Sequence, residues 1–324
     1  MGRIGRIHLE NLTHRIKGAE VAAVVNPSQQ GQDYALDYGV PQVSDRADII
    51  FGDPSIDAVL VGSPTSSHAD YVVRAAEAGK AIFCEKPIDL SLQRAKAVVE
   101  QVEAHQVPLM IAFNRRFDPD LFKIHTAIAH GDVGEVHSLH IISRDPGPPP
   151  IPYIKESGGL FKDMTIHDFD MARYIMGCEV LEVFATGSCR IDHQIKEAGD
   201  IDTAMILLRF ENGATAVIEN SRKAVYGYDQ RLEVFGSKGM MKMENPYRTQ
   251  VYFSGEQGTA SDANLNFFMD RYQTSYLLEM QAFVDALLIN GPMPVDGKDG
   301  IKAMALAEAA YASLRDNRPI KVLD

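Results

Sequence analysis

The chain of 324 residues is long enough for about two domains of ordinary size, and 45% hydrophobic against 23% charged residues excludes a disordered or fibrous chain. With 32 Lys+Arg against 44 Asp+Glu the net charge is −12, and the basic residues form no stripe, which argues against nucleic acid as a partner. No apolar run nears the ~20 residues of a bilayer span, and Met1-Gly2-Arg3-Ile4-Gly5-Arg6 lacks the apolar stretch of a secretory signal, so a cytoplasmic protein with no membrane partner is expected.

Residues 1–113 alternate extended and helical patterns at the interval of a parallel sheet, and read as one α/β domain. Gly2 and Gly5 fit the last two glycines of a dinucleotide-binding G-x-G-x-x-G, with Arg3 and Ile4 between them. The first glycine and the strand that should precede it are lacking, so the recorded start is expected to lie inside the natural reading frame or to reflect a truncation. Val21–Val25 is a short β-branched run in the place of the second strand. The residue ending that strand sorts NAD from NADP. Here Val24, Val25 and Asn26 offer neither acid nor base, and Asn26 reads equally well as a ribose contact or as the turn residue before Pro27.

Ile56–Val61 is the clearest strand, stopped by Gly62-Ser63-Pro64 ahead of a helix that carries His68. The next strand, Lys80–Cys84, runs into Glu85-Lys86-Pro87, at the sheet edge where ligands sit in open α/β folds. A lysine in such a turn is otherwise a solvated surface group. A helix over roughly 90–105 and an apolar run from Pro108 to Phe113 complete this rhythm. The strands are nearly continuously apolar, as expected when helices cover both faces. Three cysteines, Cys84, Cys178 and Cys189, have neither a metal-ligand spacing nor an even disulfide count, and read as reduced thiols.

From residue 114 the rhythm changes to an α+β pattern that runs to residue 324. A helix near 119–130 and an extended segment over 135–144 lead into Asp145-Pro146-Gly147-Pro148-Pro149-Pro150, which can be neither helix nor central strand. A helix around 160–176 is followed by strands near 179–190, 201–210, 214–222, 230–236, 239–244 and 249–254 without intervening helices, hence a large, mostly antiparallel sheet. Ala204, Ile206, Leu208 and Phe210 should face its helices. Met205 and Leu207 make the other face apolar too, so a partner subunit is expected there. Helices near 272–290 and 298–316 close the chain.

Within the run Gly158 to Asp170, Asp163 and His167 are four apart and share a helical face, while Met164 and Asp168 point elsewhere. A helix-start aspartate with a polar-face histidine explains the pair as well as a catalytic role does. A metal site is disfavoured, because two ligands leave zinc short and no further ligand is suitably spaced.

Glu85-Lys86-Pro87, the upstream Ser63-Pro64-Thr65-Ser66-Ser67-His68, and Ser143 through Pro150 followed by Gly158–Arg173 together resemble the Gfo/Idh/MocA oxidoreductase family, within it most nearly the inositol 2-dehydrogenases. The likeness covers almost the whole chain. It implies an N-terminal Rossmann domain, a C-terminal domain with a large open sheet, and often a homotetramer built by packing those sheets together. It further implies that Lys86, Asp163 and His167 are the catalytic lysine, aspartate and histidine of an enzyme that moves hydride between NAD, or NADP, and a secondary hydroxyl. On this reading Gly2, Arg3, Ile4, Gly5, Asn26, Ser63, Pro64, His68, Glu85 and Lys86 serve the cofactor. Asn114, Arg116, Arg144, Asp145, Tyr226 and Tyr272 are the candidate contacts of a neutral polyol, which needs convergent hydrogen-bonding groups rather than a charge clamp. Such inositol enzymes usually carry an aspartate where this chain has Val24. Another sugar or inositol isomer as substrate, and a non-catalytic dinucleotide sensor, are the alternatives.

Overall fold

Helix and strand alternate through the first third of the chain in the computed structural model, which describes residues 1–322. The elements are α1 (Arg3–His14), β1 (Ala23–Val25), α2 (Gln29–Asp37), β2 (Gln42–Ser44), α3 (Asp48–Phe51), β3 (Ala58–Val61), α4 (His68–Glu77), β4 (Ala81–Cys84), α5 (Leu92–His105) and β5 (Leu109–Ile111). Ser28 and Ser91 cap α2 and α5 by accepting the N–H of Gly31 and Arg94, which fixes where those helices start. The five strands are all parallel and fall into two sheets, β1-β2 and β3-β4-β5. Every residue of β4 is buried, as its unbroken apolar sequence requires.

The second region holds α6 (Pro119–Ala129), β6 (Val136–Arg144), α7 (Ile151–Glu156), α8 (Ile166–Met176), β7 (Val180–Ser188), α9 (His193–Glu197), β8 (Thr203–Phe210), β9 (Thr215–Ser221), β10 (Asp229–Gly236), β11 (Gly239–Met243), β12 (Tyr252–Gly255) and β13 (Gly258–Ser261). Then come α10 (Phe268–Arg271), α11 (Gln273–Leu288), α12 (Gly297–Asp316) and β14 (Ile320–Lys321). Seven strands form one sheet in the order β11-β10-β6-β9-β8-β7-β14, antiparallel except for the β6–β9 pair. Burial alternates strictly along β8: Ala204, Ile206, Leu208 and Phe210 lie in the core with Phe161, Phe169 and Ile175, while Met205 and Leu207 remain about half exposed.

Four expectations need correction. The helix around 160–176 is not uniform: Phe161–Thr165 forms a π-turn before α8 begins, and the Thr165 hydroxyl bonds sideways to Asn220 of β9. A short α9 interrupts the strand series, because Asp192 caps it by accepting the N–H of Gln194 and Ile195 is fully buried. The strand near 249–254 does not join the large sheet: β12 pairs with β13, and both strands are exposed along their length. Finally, the chain does not divide once near residue 113. One compact unit comprises Met1–Phe117 with Thr274–Ile301, the other Asp118–Gln273 with the segment from Lys302 onward. The reason is the face of α11 that carries Tyr276 and Phe283, whose rings lie 6.0 Å from His8 and 5.5 Å from Phe83, inside the first unit.

Candidate active site

In the first unit the candidate groups gather at the carboxyl ends of parallel strands. His68 opens α4 and is 2% exposed; its ring nitrogens lie 2.8 Å from the carbonyls of Ser63 and Pro87, tying the end of β3 to the end of β4. Ser63 Oγ meets Ser67 Oγ at 2.7 Å. The N–H of Glu85 donates to the Val61 carbonyl at 3.0 Å, and its carboxylate meets Nε2 of the buried His8 at 2.8 Å. Lys86 is half-buried beside the cis peptide bond to Pro87. His68 and Glu85 therefore brace the turn on which Lys86 is carried.

α1 begins at Gly2, which caps it without any side-chain hydrogen bond, and a Cβ at Gly2 would meet nothing within 4 Å. The N–H groups of Arg3 and Ile4 open the helix, and the Met1 side chain lies against its first turn, with Cγ 3.1 Å from where a Cβ at Gly5 would stand. Gly5 lies inside α1, one turn on. At the end of β1, Asn26 Oδ1 accepts both the N–H and the hydroxyl of Ser28, at 3.1 and 2.9 Å, and also the Met1 amino group at 3.4 Å. The turn role is therefore realised. These features fit a dinucleotide. Asn114 is buried, and Arg116 forms an ion pair with Asp299 at 2.9 Å.

In the second unit, Asp163 sits on the π-turn and His167 in the first turn of α8; both are half-buried, whereas Met164 and Asp168 are buried. Asp168 accepts from Ser143 of β6 at 2.6 Å and from Asn220 of β9 at 2.8 Å, so these strands anchor the start of α8. Asp163 accepts from the Tyr153 hydroxyl at 2.9 Å and from Arg222 at 3.1 Å. Because β6 and β9 are parallel, their carboxyl ends coincide: Arg144 registers with Ser221, and the Asp145 N–H donates to the Ser221 carbonyl at 2.9 Å.

Arg144 reaches Glu219 through Nε at 2.9 Å and Asp229 at 3.1 Å, and also donates to the Tyr226 hydroxyl, which itself donates to Asp229 at 2.7 Å. Burial works against the Arg144 charge, but its hydrogen bonds to Glu219 and Tyr226 outweigh that and raise its pKa. Burial likewise opposes ionisation of Asp229, yet Arg231, Tyr226 and Asn245 bring its pKa below the usual carboxylate range. Two expected polyol contacts, Arg144 and Tyr226, are thus held by one charged network, and because Glu219 registers with Met205 that network lies on the outer face of the sheet, opposite the side on which Ser143 and Asn220 meet α8. Tyr272 is 2% exposed, edge-on to Tyr228 and under the Arg271 guanidinium. Arg222, Asp200, Glu219 and Asp229 escaped the sequence reading, since each lies in or beside a strand pattern that reads simply as polar. Among the described residues no group of three or more His, Cys, Asp or Glu is arranged to hold a metal ion.

Residues 1–113 match an oxidoreductase family described as an NAD-binding Rossmann fold, and residues 122–242 match the GFO/IDH/MocA C-terminal domain. The chain is 46% identical to the myo-inositol 2-dehydrogenase of Thermotoga maritima, over 99% of this chain and 96% of that protein. A solved structure from Sinorhizobium meliloti, of a putative myo-inositol dehydrogenase, is 42% identical with a TM-score of 0.96 over 99% and 97% of the two chains. The scyllo-inositol dehydrogenase of Lactobacillus casei, solved with NAD(H) and scyllo-inositol, is 30% identical with a TM-score of 0.92 over 99% and 97%.

Proposed function

The chain belongs to the Gfo/Idh/MocA family of NAD-binding oxidoreductases, and from that premise we propose that it is an inositol 2-dehydrogenase, converting myo-inositol to the 2-keto inosose. What supports this reading is the 46% identity to a myo-inositol 2-dehydrogenase over 99% of this chain, together with Asp163, one turn before His167, bonded to Tyr153 and to Arg222 just beyond the end of β9.

His167 takes the hydroxyl proton as general base. Asp163 orients the imidazole and favours its charged form. Lys86 donates a hydrogen bond to the reacting oxygen and stabilises the negative charge that grows there. Asn114, Arg116, Asp145 and Tyr272 are the proposed polyol contacts; Arg144 and Tyr226, tied to Glu219 on the sheet face opposite α8, are withdrawn from that role. Gly2, Arg3, Ile4, Gly5, Asn26, Ser63, Pro64, His68 and Glu85 shape the cofactor site, and NAD, when bound, supplies the hydride acceptor. NAD is expected to be preferred over NADP by a modest margin, since residues 24–30 hold neither a base for the extra phosphate nor an acid to repel it.

The outer face of the large sheet supports a homo-oligomer, a tetramer by family likeness. Met205, Leu207, Phe235 and Met240 are each 45–50% exposed there, an apolar surface that a second copy of the chain would cover.

A spectrophotometric panel of inositols and aldoses with each cofactor tests the assignment. The best efficiency is expected with myo-inositol and NAD; scyllo-inositol is the second reading, because the L. casei neighbour binds it. Cofactor binding without turnover of any polyol would leave a dinucleotide sensor instead.

A further inference from the structure

Asp163 is not the end of its own network. Arg222 follows β9 and is among the largest fully buried side chains, with the side chain 1% exposed. Its Nη1 donates to Asp163 Oδ2 at 3.1 Å, while its Nη2 stands 3.5 Å from Asp200 Oδ2 outside hydrogen-bond geometry. Asp200 is itself fixed, accepting the Leu160 N–H at 3.0 Å on its other oxygen, and the Arg222 N–H is bonded to the Asp202 carbonyl at 2.9 Å. The geometry holds one cation between two carboxylates.

A guanidinium has five donors. Here Nε and Nη2 are buried without a hydrogen-bond partner among the described residues. A buried charge so sparsely satisfied is weak evidence for a stabilising role, although removing it alone would leave the Asp163 and Asp200 carboxylates without their counter-charge. What the arrangement does supply is a cation behind Asp163, one turn before His167. A carboxylate beside an imidazole favours the imidazolium, whereas a cation behind that carboxylate opposes it.

We propose that Arg222 is a positioning residue acting through Asp163: it keeps His167 neutral, and so ready to accept a proton, near neutral pH, with Asp200 as the counter-charge that limits its effect. The proposal rests on His167 being the proton acceptor. The other titratable groups around this cluster are Tyr153 from α7, Lys162 beside Asp163 on the π-turn, Asp145 at the end of β6 and Tyr311 from α12. Of these, Tyr311 is fixed by donating to the Gly158 carbonyl at 3.0 Å and accepting the Phe161 N–H at 3.2 Å.

Two variants of the full-length protein should move His167 in opposite directions. Arg222→Met removes the cation and is expected to raise the His167 pKa, read by NMR on histidine-labelled protein with the signal assigned from His167→Ala, by on the order of one unit. The acidic limb of kcat/KM should move to higher pH with it. Asp200→Asn removes the counter-charge, and both readouts should move to lower pH. Arg222→Lys, which keeps the charge, should stay closer to wild type than Arg222→Met. If Arg222→Met fails to fold, Asp200→Asn and Arg222→Lys carry the test. A merely structural cluster would lower thermal stability in these variants and leave the His167 pKa in place, and that result, or shifts of the same sign in Arg222→Met and Asp200→Asn, overturns the proposal. The NMR titration needs no turnover. Opposite shifts in a protein that oxidises no polyol would uphold the charge control and remove the assigned reaction, while loss of turnover in His167→Ala with an unresponsive pKa in the charge variants would do the reverse.

Discussion

His167 is the residue on which the proposed chemistry turns. Its replacement by alanine is expected to lower kcat by roughly 10²–10⁴-fold, the usual contribution of a positioned acid–base group, while NAD affinity measured by fluorescence barely changes. An almost intact kcat would return the residue to a polar helix face. Glu279 is a second charged residue whose behaviour follows from its surroundings. It lies on α11 between Tyr276 and Phe283, is 0% exposed, and neither carboxylate oxygen has a hydrogen-bond partner among the described residues. Burial first, and the nearby Glu85 charge second, push its pKa well above the usual carboxylate value of 4.5. A group raised in this way binds its proton more tightly folded than unfolded, so its contribution is complete below the unfolded pKa and is lost as pH rises towards the folded one. Glu279→Gln should therefore melt close to wild type at pH 4 and progressively above it by pH 8. A deficit that is the same at every pH would mean that the carboxyl is not the proton-bearing group. The catalytic candidates were legible as motif residues; Arg222, Asp200 and Glu279 were not, because a polar residue's burial depends on partners far away in sequence.

At the scale of elements, the sequence announces α8 but hides the π-turn ahead of it. Apolar spacing over 160–176 suits one helix, and the extra residue per turn is held by side bonds from Thr165 to Asn220 and from Asp163 to Arg222, which join segments more than fifty residues apart. The entry to this turn depends on Gly159, whose φ is +79° and where a Cβ would lie 2.3 Å from the Tyr311 hydroxyl and 2.7 Å from Asp200. Gly159→Ala is expected to destabilise by about 1–3 kcal/mol in urea titration, from backbone strain together with the clash. It should also slow turnover, since Leu160 and Asp200 hold the approach to Asp163. A variant as stable as wild type would show that the turn relaxes around the methyl group. β1, β3, β4 and β5 were easier to read, because each is a short apolar run, whereas β2, Gln42–Ser44, has one apolar residue and was not read from the sequence.

For the whole molecule, period-two alternation along β8 correctly separated inner from outer residues, but it left unsaid that β6 lies inside the sheet between β10 and β9. The exposed apolar outer face yields a prediction about assembly. Leu207→Lys, at a position 46% exposed in the single chain, should shift the protein towards smaller species in sedimentation while the chain still folds. Unchanged sedimentation would place any subunit contact elsewhere. The central position of β6 also bears on the time course of folding. Neighbouring strands such as β10 and β11 are joined by a tight turn and can pair at once, but Ser138 must find Thr215 across the whole of α7, α8, β7, α9 and β8. Loop closure of that length is slow, so the contacts that align Arg144 with Ser221 belong to the late steps of folding. Newly made chains thus acquire most of their helices and hairpins before the polar end of the sheet exists, and competence for catalysis arrives after compactness.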